Sequence, residues 1–278
     1  MEPQVLAERT LPLQYRPMLL YRFVSDTAPE GLYAAQEPGS SALRVLDSDP
    51  FEIPPADWKL GREIPLDLFR LLTPVVPRKI VGIGRNYREH AKELNNPMPA
   101  EPVIFLKAPT SLLAPGAAVV LPPESQRVEH EGEIAVVVGR RIKRATPEEA
   151  RAAVLGVTCA DDVTARDLQR KDPCFSRAKS FDTFCPLGPA VRIGADLENL
   201  EVVTRLNGQE RQRGHARDMA WGVVDLLVYA SRMMTLEPGD VLLTGTPAGV
   251  GPLEDGDQVE VEVSGVGVLR HTVEGWLG

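Results

Sequence analysis

Two glutamates separated by one residue open the densest chemical segment of the chain, Glu129-His-Glu-Gly-Glu-Ile-Ala-Val-Val-Val138. In an extended strand, Glu131 and Glu133 point to one face, about 7 Å apart. A solvated strand face is one account of them. Ala135 and Val137 share that face, however, while Ile134, Val136 and Val138 take the other, so the strand reads as covered on both sides. Carboxylates in a covered region must be paired, protonated or bound to a cation, and two same-face oxygens suit a hard ion such as Mg2+. Asp161 and Asp162 end a second apolar run, where either a helix cap or a third ligand fits. If Thr164–Gln169 is helical, Arg166 and Gln169 share a face and suit a carboxylate-bearing ligand.

His90 and Glu93 lie three apart on a short helical pattern. They form either an exposed pair or a histidine oriented by a carboxylate, as a general base requires. Only seven of the 31 basic residues are lysine. Two of these, Lys107 after Val-Ile-Phe-Leu and Lys179 before Ser-Phe, sit in apolar settings and either snorkel or provide a fixed cation. The Gly82-x-Gly84 pair lacks the third glycine of a dinucleotide fingerprint, since Tyr87 stands there. The loop Leu242-Leu-Thr-Gly-Thr-Pro-Ala-Gly-Val-Gly251 lacks the lysine of a phosphate-binding loop, although its hydroxyls and amides could hold a carboxylate. No Gly-x-Ser-x-Gly elbow is present.

The elements that would position these groups are mostly strands. Met18–Val24, Leu32–Ala35, Lys79–Ile83, Val103–Leu106, Ala118–Leu121, Glu131–Gly139, Val157–Val163, Val241–Leu243 and Val259–Val263 read as strands. The last alternates valine with glutamate and has one solvated face. Asn86 with Glu89 predicts the cap of a two-turn helix ending at Asn95-Asn96-Pro97. Thr146-Pro-Glu-Glu149 predicts a capped helix to about Leu155 with a stop at Gly156, and Asp218 a longer helix to Met234. Strands and helices do not alternate regularly, which favours an α+β, mainly β fold over a doubly wound or barrel architecture. The proline-rich stretch Thr73–Pro77 separates a small N-terminal domain, residues 1–77, from residues 78–278.

The 278 residues suffice for a packed core without staples. With 31 basic and 39 acidic residues the net charge is −8, and no basic block appears, so neither nucleic acid nor an anionic membrane surface is an expected partner. No apolar run is long enough for a span, and the start MEPQVLAERT lacks the pattern of a secretory leader. Three cysteines without a Cys-x-x-Cys spacing argue against disulfides and a thiolate zinc site; buried free thiols in a cytoplasmic protein are expected.

The ordered series Gly-Arg-Asn-Tyr…His…Glu, Phe-Leu-Lys, His-Glu-Gly-Glu, Asp-Val-Thr-Ala-Arg-Asp-Leu-Gln, Ala-Lys-Ser-Phe and Gly-Asp-Val-Leu-Leu-Thr-Gly-Thr-Pro-Ala-Gly-Val-Gly resembles the fumarylacetoacetate hydrolase family from Lys79 to the C-terminus. The resemblance implies a mixed β-sandwich or β-roll catalytic domain, a homodimer, and one divalent ion per site, Mg2+ with Mn2+ or Ca2+ as substitutes. It matches the metal carboxylates to Glu131, Glu133 and Asp162, with Asp161 where the family often has Asn. It matches the His–Glu dyad, on a segment that orders over ligand, to His90 and Glu93. Substrate-binding and oxyanion groups match Lys107, Arg166, Gln169, Lys179 and Thr246. Members act on 2-oxo or 2,4-dioxo acids by C–C hydrolysis, decarboxylation or enol–keto isomerisation. The expected activity is that of a 2-hydroxyhepta-2,4-diene-1,7-dioate isomerase with decarboxylase activity, as in aromatic catabolism, with acylpyruvate hydrolysis or oxaloacetate decarboxylation as alternatives. A non-catalytic metal-binding β protein would need neither His90 nor Lys179, and a cysteine hydrolase would need a reactive thiol.

Overall fold

The computed structural model describes residues 17–25, 28–65 and 70–276; the opening stretch MEPQVLAERT lies outside them. The chain is mainly β, in three sheets. The largest sheet runs in the order Leu60–Pro65, Ala42–Leu46, Ala28–Gln36, Met18–Ser25, Cys185–Ile193, Val154–Asp161, Gly132–Val138, Val241–Leu243, Ile80–Gly84 and Val103–Lys107. Along this order neighbours are antiparallel except Val241–Leu243 beside Ile80–Gly84, and Leu112–Leu113 adds a parallel pairing to Cys185–Ile193. Met18–Ser25 pairs directly with Cys185–Ile193, so the N-terminal strands extend this sheet without a break in its hydrogen bonding. A five-stranded sheet, ordered Gln209–His215, Glu201–Leu206, Gln258–Val263, Gly267–Gly275, Ala118–Leu121, supplies the second layer. A three-stranded ribbon pairs Val128–His130 with Thr164–Ala165 and Gly251–Pro252. Among the described residues no helix is long and apolar enough to cross a membrane.

Alternation explains the layering. Ile134, Val136 and Val138 face the core shared with the second sheet, where they meet the cluster of Val202, Val261 and Val263. Ala135 and Val137 face the opposite core with Leu187, Val191 and Leu243. Strand Gly132–Val138 is thus covered on both faces, as its composition requires. In Gln258–Val263 the three valines are buried and the two glutamates half-buried, the signature of a strand with one wet face.

Three helix expectations need correction. Helix Arg88–Glu93 starts after Tyr87 and has no side-chain cap; Asn86 is fully buried and bonds elsewhere. The capping box of Thr146 and Glu149 forms, but helix Pro147–Ala152 stops early and strand Val154–Asp161 already contains Gly156. A Cβ at Gly156 would lie 2.2 Å from the Arg192 carbonyl oxygen, so this glycine permits close strand approach rather than a helix stop. The longer helix is Val223–Met233, entered through Gly222, whose N–H donates to Asp225, while Asp218 ends a 3-10 turn.

Gly132 sets the distance between the two large sheets at the chemical segment. A Cβ there would lie 1.9 Å from Thr204 Oγ1 and 3.3 Å from Val261 Cγ1. Gly132→Ala is expected to destabilise the protein by about 1–3 kcal/mol through overpacking. A urea midpoint equal to wild type would show that the sheets are not held at this spacing by Gly132.

Candidate active site

The register of two strands creates the site. Gly132 pairs with Asp161 in the antiparallel ladder, so the entrance of Gly132–Val138 lies beside the exit of Val154–Asp161. Glu131, just outside its strand, accepts the Asp162 N–H through its backbone carbonyl at 2.9 Å. Glu131, Glu133 and Asp162 therefore converge, all buried, and one oxygen from each lies within 4.8 Å of the others. They line a cavity of about 500 Å3 together with His90, Lys179 and Arg166.

Each carboxylate has different company. Asp162 accepts from Lys107 Nζ at 2.6 Å through Oδ1 and from Lys179 Nζ at 2.5 Å through Oδ2. Glu131 accepts from Lys179 at 2.8 Å and from the Arg166 guanidinium. Burial favours the acid form of Glu131, but Lys179 and Arg166 outweigh it and hold the carboxyl well below its ordinary range. Glu133 has no ion-pair partner among the described residues; Gly245 N–H donates to it at 2.6 Å. Burial first, then the Asp162 charge, pushes its carboxyl well above the ordinary range. Burial lowers the Lys179 ammonium and its two carboxylate partners raise it, with a net rise, so Lys179 stays a cation.

This imbalance tests whether a divalent cation fits. Three oxygen donors converge, and one of them, Glu133, is a buried carboxyl whose ionised form meets no ion-pair partner among the described residues. A cation held by Glu131, Glu133 and Asp162 would remove that penalty, and an all-oxygen set favours Mg2+, Mn2+ or Ca2+ over zinc.

His90 lies on helix Arg88–Glu93 and faces the same cavity. Its Nδ1 is 3.3 Å from Glu93 Oε2, and Glu93 Oε1 accepts the Gly249 N–H at 2.9 Å, tying the helix to the glycine-rich loop. Burial lowers the His90 pKa, the Glu131 charge opposes this, and the net shift is downward, towards a neutral ring. Gln169 and Thr246 also line the cavity. Gln169 Oε1 accepts from Arg166 at 2.5 Å, and Thr246 Oγ1 donates to Gly132 O at 2.9 Å.

Two residues sit differently from their expected roles. Lys107 is off the cavity wall: its ammonium reaches Asp162 and the Phe184 carbonyl, 2.9 Å away, so it positions a carboxylate instead of touching substrate. Arg166 does line the cavity, but Glu129, Glu131 and Gln169 already engage its guanidinium. Three further residues hold positions that the sequence alone did not assign to them. Asn86 donates to the Trp221 and Thr244 carbonyls and accepts from Trp221 N–H, locking the base of the His90 helix. Asp161 accepts from Glu131 N–H at 2.7 Å and is 2.9 Å from His271 Nε2, a pair with both side chains fully buried. Gln212 bridges His130, Gly132 and Thr246. Asn86 carried a visible signal, an amide between glycine-rich and aromatic residues; Gln212 is one polar residue among many on its strand and carried none. Cys159 and Cys185 are buried, with thiols pushed up to about 12 by desolvation, which removes them as nucleophiles, while Cys174 is exposed, contrary to expectation.

A carboxylate cluster, a fixed ammonium and an oriented imidazole in one cavity are the groups that acid–base chemistry uses. Residues 79–274 match the family described as Fumarylacetoacetate (FAA) hydrolase C-terminal, and the chain belongs to that family. It is 43% identical over 223 residues to the human mitochondrial oxaloacetate tautomerase FAHD2A, covering 76% of this chain and 71% of that protein. Among solved structures it resembles 2-hydroxyhepta-2,4-diene-1,7-dioate isomerase from Mycobacterium marinum, with a TM-score of 0.84, 38% identity and coverage of 94% and 100% of the two chains. It likewise resembles 5-carboxymethyl-2-hydroxymuconate delta-isomerase from Mycobacterium smegmatis, with a TM-score of 0.84, 39% identity and coverage of 93% and 100%.

The carboxylate cluster makes a prediction independent of turnover. Mg2+ or Mn2+ at 100 times its Kd should stabilise the wild-type fold by about 2.7 kcal/mol. Glu133→Gln should abolish that gain. Without metal, a raised Glu133 pKa gives stability that is present in acid and lost as pH rises through the folded-state value, so the variant should flatten this decline. Differential scanning calorimetry with and without Mg2+ checks both; an equal metal-induced rise in the variant would exclude Glu133 as a ligand.

Proposed function

We propose that the chain is a Mg2+-dependent isomerase that moves protons on 2-oxo or 2-hydroxy-dienoic acids, of the 2-hydroxyhepta-2,4-diene-1,7-dioate isomerase or oxaloacetate tautomerase kind. The observation that carries this reading is the neutral, Glu93-oriented His90 facing the carboxylate cluster across one cavity. Mg2+ bound by Glu131, Glu133 and Asp162 would supply Lewis-acid polarisation of the acid's oxygens.

The chain's own groups account for the proton chemistry. With Nδ1 engaged by Glu93, Nε2 of His90 is the ring nitrogen left to take a proton from the carbon next to the oxo group. Negative charge then develops on the oxo oxygen, and Lys179, held protonated by its carboxylate partners, is a fixed cation to meet it. Returning the proton to another atom completes an isomerisation without any bond to water. The relatives named as an oxaloacetate tautomerase, a dioate isomerase and a muconate delta-isomerase support this class of reaction. The same dyad could instead deprotonate water, so acylpyruvate hydrolysis and oxaloacetate decarboxylation are the competing outcomes of the assay.

The deciding experiment is a Mg2+ assay on oxaloacetate, acylpyruvates and unsaturated 2-oxo dicarboxylates, following enol–keto exchange, cleavage products and carbon dioxide separately. Isomerisation should exceed cleavage and stop with EDTA; cleavage as the dominant reaction would replace this reading. His90→Gln should lower kcat about 10²–10⁴-fold while leaving the metal-induced stabilisation intact. In wild type, kcat/KM should fall only as pH drops below the ordinary imidazole range, because burial lowers the His90 pKa and the neutral ring is the active form. An acid limb centred above that range would assign the base elsewhere.

A further inference from the structure

Five cationic or ionisable nitrogen side chains line the cavity, and they fall into two groups. Lys179, Arg166 and His90 are already engaged by carboxylates. Arg85 and Arg170 have neither a hydrogen bond nor an ion pair to any described residue. Asp172, also on the wall, is held by Arg177 through two bonds of 2.5 and 2.6 Å. Two guanidiniums therefore face the cavity without an anion.

Their placement is ordered. Arg170 follows Arg166 by four residues on helix Arg166–Lys171, so the two share a helix face about 6 Å apart along the axis. Arg166 is buried against Glu131 and Arg170 is exposed, which puts Arg170 on the solvent side of the cluster. Arg85 ends strand Ile80–Gly84 in the left-handed backbone region, with φ 59°, an uncommon state for a residue with a Cβ. Strain of this kind is tolerated where a side chain has a task. The wall also carries apolar side chains: Phe105 and Phe175 pack edge to face at 5.6 Å, with Ile83 and Leu94 beside them.

We infer that Arg85 and Arg170 are specificity-determining residues that read a second, distal carboxylate of a 2-oxo dicarboxylic acid whose carbon chain lies against the Phe105–Phe175 wall. This rests on the reading of the cluster end as the site of the 2-oxo acid head. Guanidinium pairs suit a carboxylate in geometry and charge, and charge-assisted bonds in a half-enclosed pocket discriminate strongly against an uncharged end.

Calorimetric titration of the Mg2+-loaded full chain tests this with two matched probe pairs. They are 2-oxoglutarate against 2-oxovalerate, and 2-oxoadipate against 2-oxohexanoate, equal in length and head group within each pair. At least one diacid should bind about 10-fold or more tighter than its monoacid partner. Arg85→Gln and Arg170→Gln should each remove most of that advantage while leaving monoacid affinity unchanged, which also reports an intact fold. Equal binding within both pairs, or variants that weaken diacid and monoacid alike, would overturn the arginine assignment while leaving the head-group reading standing. If no probe binds the loaded protein, or Glu133→Gln does not weaken the monoacids, the head-group reading fails and the inference falls with it.

Discussion

The structure depends on placing four carboxylates, Glu129, Glu131, Glu133 and Asp162, in a region almost without water. Buried charges of one sign are tolerated only when partners and hydrogen bonds compensate the lost hydration. Lys107, Lys179 and Arg166 supply three such partners, and they come from three separate parts of the chain. The Lys107 strand at the end of the large sheet, the turn that ends in Lys179, and the helix that begins with Arg166 must all dock before the cluster is stable. Assembly of the site therefore requires segments from Lys107 to Lys179 to dock together. Asp161 stands outside this account, because His271 on the last long strand answers it. That pair fixes the Glu131 backbone from the opposite layer.

The parts legible in the sequence are those governed by local rules. The double burial of Gly132–Val138 followed from apolar residues at both parities, and the valine–glutamate alternation identified a half-wet strand. The Thr146 capping box was legible because a cap is a contact across three residues. Asn86 and Asp218 share the same local pattern but were misread as caps. Burial decides otherwise for Asn86, whose amide can satisfy carbonyls 135 and 158 residues away only if it leaves the helix end alone. No local rule contains that information.

The site was legible in identity and less so in geometry. The motifs pointed to the residues that meet in the cavity, yet they could not show which groups touch each other. Lys107 and Lys179 look alike in sequence, each next to aromatic or apolar neighbours. The structure separates them by depth: one ammonium is sealed behind Asp162, the other lies over the Phe105 ring at 5.0 Å on the cavity side. Likewise Arg166 looked free to grip a substrate. Its fork is instead filled by carboxylates of its own protein, and Arg170, one turn outward, is the unengaged copy. Side-chain competition at close range makes this distinction, and it is invisible in spacing.

Charge at the cavity also bears on how an acidic chain could take the acidic substrate proposed for it. At the buried end Glu129, Glu131 and Asp162 are answered by Arg127, Arg166, Lys179 and Lys107, and without a metal burial favours the acid form of Glu133. A divalent cation on Glu131, Glu133 and Asp162 would displace the Glu133 proton and add one net positive charge there, and Arg85 and Arg170 contribute two more towards the mouth. On the proposed reading, metal loading would therefore favour a dianion in the cavity although the whole chain carries a formal charge of −8. Because the added charge would lie in a region of low dielectric, it would act on the ligand far more strongly than the screened surface charge does. Metal and substrate affinity are in that case thermodynamically linked: each must strengthen the other by the same factor.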